Sequence, residues 1–161
     1  KESLPEDLLK ALLDARFFQS GMQTLRQIEF ALFDLNIHKH SPALNASGIQ
    51  ATLDDIREKF SVLATAPYNR FQNSFSHIFA GGYAAGYYSY KWAEVLASDA
   101  FDRFEDEGIF NAETGKEFRK FILAVGGKDT ALDAFINFRG REPKIDALLR
   151  HQGWTNTSKT A

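Results

Sequence analysis

The chain has 161 residues, 44% of them hydrophobic and 25% charged, which suits a globular protein able to bury a sizeable core. It has no cysteine, which excludes a disulfide scaffold, a zinc finger, an iron–sulfur protein and a thiol enzyme. The formal net charge of −2 gives no electrostatic reason to expect nucleic acid as a partner. No apolar run reaches the roughly 18 residues of a membrane-spanning helix, so no membrane is expected either.

The polar opening Lys1-Glu2-Ser3-Leu4-Pro5-Glu6-Asp7 does not read as a signal peptide, and a reducing cytoplasm is the expected compartment. Ser3 followed by Glu6 reads as a capping box, with Leu8, Leu9, Leu12 and Leu13 keeping helical rhythm behind it. A second helix is expected from Phe17 to Ile37, with Phe18, Met22, Leu25, Ile28, Leu32 and Leu35 as its apolar stripe. Residues His38 to Gly48 read as a linker, and the next helix carries Ile49, Leu53, Ile56, Phe60 and Leu63 on one face. Ala66-Pro67-Tyr68-Asn69 reads as a turn, because the residue before proline avoids the α region.

From about Gly86 a long helix is expected to carry Trp92, Val95, Leu96, Ala100 and Phe104, and to end near Gly108. Asn111 reads as the cap of the next helix, which Gly126-Gly127 ends. Leu132, Phe135, Ile136 and Phe138 mark another, stopped by Gly140, and Pro143 opens a last short one. Strand signals are nearly absent. The expectation is an all-α, multi-helix bundle of about seven helices with a Gly/Tyr-rich loop before a long helix, a single domain over 1–153 with a flexible tail at 154–161.

Complete catalytic kits are missing: there is no His-Glu-x-x-His, no Gly-x-Ser-x-Gly and no phosphate-binding loop. His38 and His40 read as exposed loop histidines, and His151 as a helix-end imidazole that suits the dipole. The acidic run Glu105-Asp106-Glu107, with Asp99 and Asp102 before it, reads as a solvated face. Arg139 and Arg141 read as surface groups or ion-pair partners.

One segment resists a bland reading. Between Phe75 and Tyr90 lie four of the five tyrosines, Tyr83, Tyr87, Tyr88 and Tyr90, interleaved with Gly81, Gly82 and Gly86 and preceded by His77. Three glycines weaken a helix, whereas a loop that runs close to a ligand gains from them. If 83–90 were helical, Tyr83 and Tyr90 would share a face. A phenol is a neutral hydrogen-bond donor at pH 7, suited to stabilising an oxyanion. An aromatic packing interface explains the same residues equally well.

The string from Phe75-Ser76-His77 through Tyr90-Lys91-Trp92 resembles the substrate loop of the zinc metallopeptidase family that includes oligopeptidase A, thimet oligopeptidase, neurolysin and dipeptidyl carboxypeptidase. The likeness extends to Leu25–Asp34, Asp99-Ala100-Phe101, Glu107–Asn111, Gly126-Gly127, Phe138–Pro143 and Asp146–Leu149. In that family the zinc ligands come from a His-Glu-x-x-His helix and a later glutamate, both amino-terminal to the part seen here. The resemblance therefore implies the carboxy-terminal portion of a zinc-dependent oligopeptidase that hydrolyses short peptides. Zinc is expected in the full-length enzyme and not in this portion, which alone is expected to be inactive. The absence of an initial methionine fits that view.

By position, Tyr90 matches the tyrosine that stabilises the oxyanion. Tyr83 and His77 match residues that hold the substrate, Gly81, Gly82 and Gly86 match hinge glycines, and Tyr87 matches a further substrate contact. The implied partners are short peptides and the amino-terminal remainder of the polypeptide. Surface facing that remainder is expected to be apolar, either bared as a patch or covered by an oligomer of the fragment. The competing reading is a non-catalytic helical module that binds peptide or a protein partner.

Overall fold

The computed structural model describes residues 3–39 and 44–155, all helix and loop, with no strand among them. The chain forms two compact units that divide between Lys91 and Trp92.

In the first unit, α1 spans Glu6–Ala15, α2 Ser20–His38 and α3 Ala46–Phe60. A 3-10 turn at Phe71–Ser74 and the one-turn α4 at Ser76–Phe79 follow. The capping box does not form. The cap of α1 is Pro5, with no side-chain bond, so Ser3 lies too far ahead of the first turn to close it. None of α1 is buried, and Leu8, Leu9, Leu12 and Leu13 all stand exposed. Together with Leu4, Phe17 and Phe18 they form an apolar surface.

On α2 the buried side is not the expected stripe. Phe18 and Leu35 are exposed, while Phe33 is fully buried beside two carboxylates, Glu29 and Asp34. Hydropathy alone excludes charged residues from a core. Here Glu29 is paired with the buried Arg57 of α3 at 2.9 Å, which makes its burial tolerable. The core joins Phe33 to Leu53 and Ile56 of α3 and to Phe75, Ile78 and Tyr87. The α3 face was legible in the sequence up to Phe60; Leu63 lies beyond the helix and is exposed. Asn45 caps α3 by accepting from the Gly48 amide. The turn at Ala66–Asn69 forms, with the Asn69 amide donating to the Ala66 carbonyl. His38 ends α2 and engages Asp34, so it belongs to a helix and not to the linker. His40, with most of the expected tail, lies outside the described residues.

The helix α5, Ser89–Glu107, carries the chain into the second unit, where α6 (Ala112–Phe118), α7 (Ala131–Arg139) and α8 (Asp146–His151) follow. Asn111 caps α6 as expected, and α6 runs on into a π-helical turn at Arg119–Leu123. Gly140 ends α7 in the left-handed conformation at φ 71°. Pro143 stands three residues ahead of α8 and does not open it. The second core gathers Ala100, Phe135 and Phe138, flanked by Leu96, Phe104, Phe118, Phe121 and Ile122.

The acidic run is solvated only in part: Asp106 and Glu107 are exposed, as expected, but the residues before them are not. Asp99 and Asp102 are buried, and with Glu105 they recur along one side of the helix, where cations meet them. Arg141 grips both Asp99 oxygens at 2.6 and 2.7 Å, and the Lys144 amide adds a bond of 2.7 Å. Arg139 and Arg150 bond Asp102 at 2.9 and 2.7 Å, and His151 reaches Glu105 at 3.1 Å. Burial alone would raise the Asp99 carboxyl, but Arg141, the Lys144 amide and Arg139 together hold it below the usual carboxylate range. Arg139 and Arg141 are thus the ion-pair partners that their sequence context allowed.

Candidate functional site

The tyrosine-rich segment lies in the first unit and is built as turns. After α4, the Ala80 and Gly81 amides both donate to the Ser76 carbonyl, and the Tyr83 amide donates to the His77 carbonyl at 3.2 Å. A side chain at Gly81 would place its Cβ 2.8 Å from the His77 carbonyl oxygen, so this reversal needs glycine. Gly82 sits at φ 77°, a conformation that costs an L-residue energy. Gly86 differs, since its φ is not in that region and the nearest atom to an added Cβ is 3.4 Å away. The left-handed residue in this part of the loop is Ala85, at φ 54°.

Residues 84–88 are turn and Tyr83 lies just before them, so no helical face aligns Tyr83 with Tyr90. The two rings nevertheless meet, with centroids 5.1 Å apart. Tyr90 occupies the second position of α5, and the turns fold Tyr83 back onto it. The Tyr90 hydroxyl gives its hydrogen bond to Tyr83; that bond first, then partial burial, pushes the Tyr90 phenol above its ordinary pKa. The pair therefore holds two O–H groups and one internal bond, which leaves one O–H to offer to a ligand. Both rings are more than a third exposed.

His77 stands beside them, its ring 6.4 Å from both Tyr83 and Tyr90, and it too is exposed. The structure thus brings His77, Tyr83 and Tyr90 into one accessible cluster. Tyr87 is different in kind. It is buried beneath the group, edge-on to Phe75 at 5.1 Å and to Tyr90 at 5.2 Å. Its hydroxyl donates to Gln27 Oε1 at 2.9 Å, and burial raises its pKa. Tyr88 is exposed.

Two residues that sequence reading passed over support this cluster. Asp34 of α2 accepts from the amides of Ala85 and Tyr87, and Gln27 receives the Tyr87 hydroxyl. The available signal was a carboxylate set between Phe33 and Leu35 on α2, where burial needs a built-in partner. The arrangement can present neutral donors and an imidazole to a polar backbone, over a floor of edge-on rings. Among the described residues no three His, Asp or Glu side chains converge as metal ligands.

The family model for peptidase family M3 matches residues 1–154. Oligopeptidase A of Escherichia coli (strain K12) is 51% identical over 152 residues, which is 94% of this chain and 22% of that protein. The "probable cytosolic oligopeptidase A" of Arabidopsis thaliana is 52% identical over 157 residues, again 94% of this chain and 22% of the relative. Saccharolysin of Saccharomyces cerevisiae is 35% identical over 156 residues, 96% of this chain and 22% of its own. The chain spans about a fifth of the length of these curated relatives.

Proposed function

The chain belongs to peptidase family M3, and from that premise we propose that it forms the substrate-covering, carboxy-terminal portion of a zinc-dependent oligopeptidase that hydrolyses short peptides. The observation that carries the reading is the cluster of Tyr83, Tyr90 and His77, accessible and paired, on turns that need glycine at 81 and 82. Tyr90 donates a hydrogen bond to the carbonyl oxygen of the scissile peptide as negative charge develops there. It does so as a neutral phenol, because a tyrosine hydroxyl keeps its proton at pH 7. On substrate binding Tyr90 exchanges its bond to Tyr83 for one to the peptide, and Tyr83 with His77 holds the peptide backbone. Losing one such donor costs about 2.7–4 kcal/mol of transition-state stabilisation in comparable sites. Gly81 and Gly82 let the loop turn over the bound peptide, with Gly86 adding freedom next to Ala85. Tyr87 serves from below, as the floor on which Tyr90 and His77 rest.

The metal chemistry belongs to residues outside this chain, and the isolated chain is inactive. The apolar surface of Leu4, Leu8, Leu9, Leu12, Leu13, Phe17 and Phe18 faces the amino-terminal remainder of the enzyme, or a second copy when that remainder is missing. The cytoplasm is the proposed location; no helix among the described residues is long and apolar enough to cross a membrane.

The test is to express the whole reading frame that contains this chain and measure bound zinc and hydrolysis of short peptides. One zinc per chain with hydrolysis is expected. Peptide binding with neither zinc nor cleavage would select the non-catalytic module instead. Zinc-dependent cleavage by residues 1–161 alone would overturn the division of labour.

A further inference from the structure

The peptidase reading gives Asp34 no part, yet this carboxylate is fully buried and reaches straight into the tyrosine loop. We infer that Asp34 is a positioning residue: it clamps the backbone of Ala85 and Tyr87 and thereby sets the Tyr83–Tyr90 phenol pair. In its catalytic consequence this inference rests on the role proposed above for Tyr90.

Asp34 Oδ1 accepts from the Ala85 amide at 2.8 Å and Oδ2 from the Tyr87 amide at 2.9 Å. Bonds to an ionised acceptor are the strong kind, and a buried amide without a partner is costly. Two amides separated by one residue reach the two oxygens of one carboxylate only if the chain turns sharply between them. Ala85 supplies that turn at φ 54°, a conformation its Cβ disfavours and that persists only where the surroundings impose it. His38, one helical turn beyond Asp34, lies with Nδ1 2.8 Å from the Asp34 carbonyl oxygen and 2.9 Å from Oδ1.

The clamped segment is tied to both phenols. The Gly86 amide donates to the Tyr83 carbonyl at 2.8 Å, and the Tyr90 amide donates to the Tyr87 carbonyl at 3.2 Å. Asp34 thus controls two residues whose ring centroids lie 5.1 Å apart without touching either ring's hydroxyl. Asparagine at 34 can accept only one of the two amides and turns its own N–H groups toward the other.

The experiment uses the full-length peptidase. Asp34→Asn is expected to lower kcat on a short peptide about tenfold or more while KM moves less than about threefold, because a small displacement of a catalytic group costs rate. In a Tyr90→Phe background the same change is expected to cost less than about threefold, since both act through one hydroxyl. Equal losses in the two backgrounds would overturn the inference and leave Asp34 a role in the fold alone. Amide exchange reads the clamp without reference to catalysis. Ala85 and Tyr87 are expected to exchange at least about a hundredfold more slowly than unstructured peptide in the unsubstituted enzyme. Fast exchange there would overturn the clamp even if Asp34→Asn does not fold. If Tyr90→Phe by itself left kcat/KM unchanged, the oxyanion role would fall, while slow exchange at Ala85 and Tyr87 would still support the clamp.

Discussion

Replacing Tyr87 by phenylalanine separates a tyrosine that supports the site from one that touches substrate. The hydroxyl makes one hydrogen bond, 2.9 Å to Gln27 Oε1, and the ring is 9% exposed among Phe30, Phe75, His77 and Tyr90. Tyr87→Phe keeps the ring and removes one neutral bond that leaves an acceptor only partly buried, so the cost is about 1 kcal/mol. Tyr87→Ala also empties the space under Tyr90, and the cost rises to about 3–5 kcal/mol. Urea unfolding of each variant measures the first quantity, and steady-state peptide hydrolysis by the full-length enzyme the second. The phenylalanine variant should keep KM within about twofold and lose little rate, because the floor remains. A tenfold rise in KM with stability unchanged would refute the reasoning, since it would mean that the Tyr87 hydroxyl contacts the peptide.

Gly82→Ala should destabilise the loop by about 1–2 kcal/mol from its positive φ alone, because an added Cβ there meets no atom within 4 Å. Gly81→Ala should be worse for activity, because its Cβ would collide with the His77 backbone and displace the imidazole; equal peptide KM for the two variants would contradict this. Asp99→Asn should cost about 3–5 kcal/mol in urea unfolding, since it leaves Arg139 and Arg141 facing a neutral amide in a buried place. The carboxyls of Asp99, Glu105 and Glu107 are all held below their ordinary values, so their contribution is present above the unfolded-state pKa and is lost as pH falls through the lowered ones. Unfolding midpoints followed against pH should therefore be flat near neutrality and fall below about pH 4, and the fall should be smaller in Asp99→Asn.

The helices were readable because their signals are local. Asn111 caps α6, Gly140 stops α7, and the period of Leu53 and Ile56 marks the inner face of α3. What failed was inference that needed a partner. Glu29, Asp34, Asp99 and Asp102 are charged, so a hydropathy pattern sends them outward, and only Arg57, the loop amides and the arginines of the second unit reverse that. The leucines of α1 failed in the opposite sense, being apolar and periodic yet uncovered in this chain. In the site, the tyrosines, glycines and His77 between Phe75 and Tyr90 stood out in the sequence, and the helical face that would have carried Tyr83 and Tyr90 together is not formed. Turns and a left-handed Ala85, not a shared helical face, bring the rings together. Ala85 left no trace in the sequence, because its conformation is imposed by Asp34 more than fifty positions away.

The central claim is that the Tyr90 hydroxyl stabilises charge developing on the substrate in the intact enzyme. Tyr90→Phe in the full-length protein measures it most directly, as kcat/KM on a short peptide at pH 7 alongside a urea midpoint. Removal of one oxyanion donor predicts a loss of about a hundredfold or more with the midpoint little changed. A loss smaller than about fivefold in a correctly folded, zinc-loaded variant would contradict the claim.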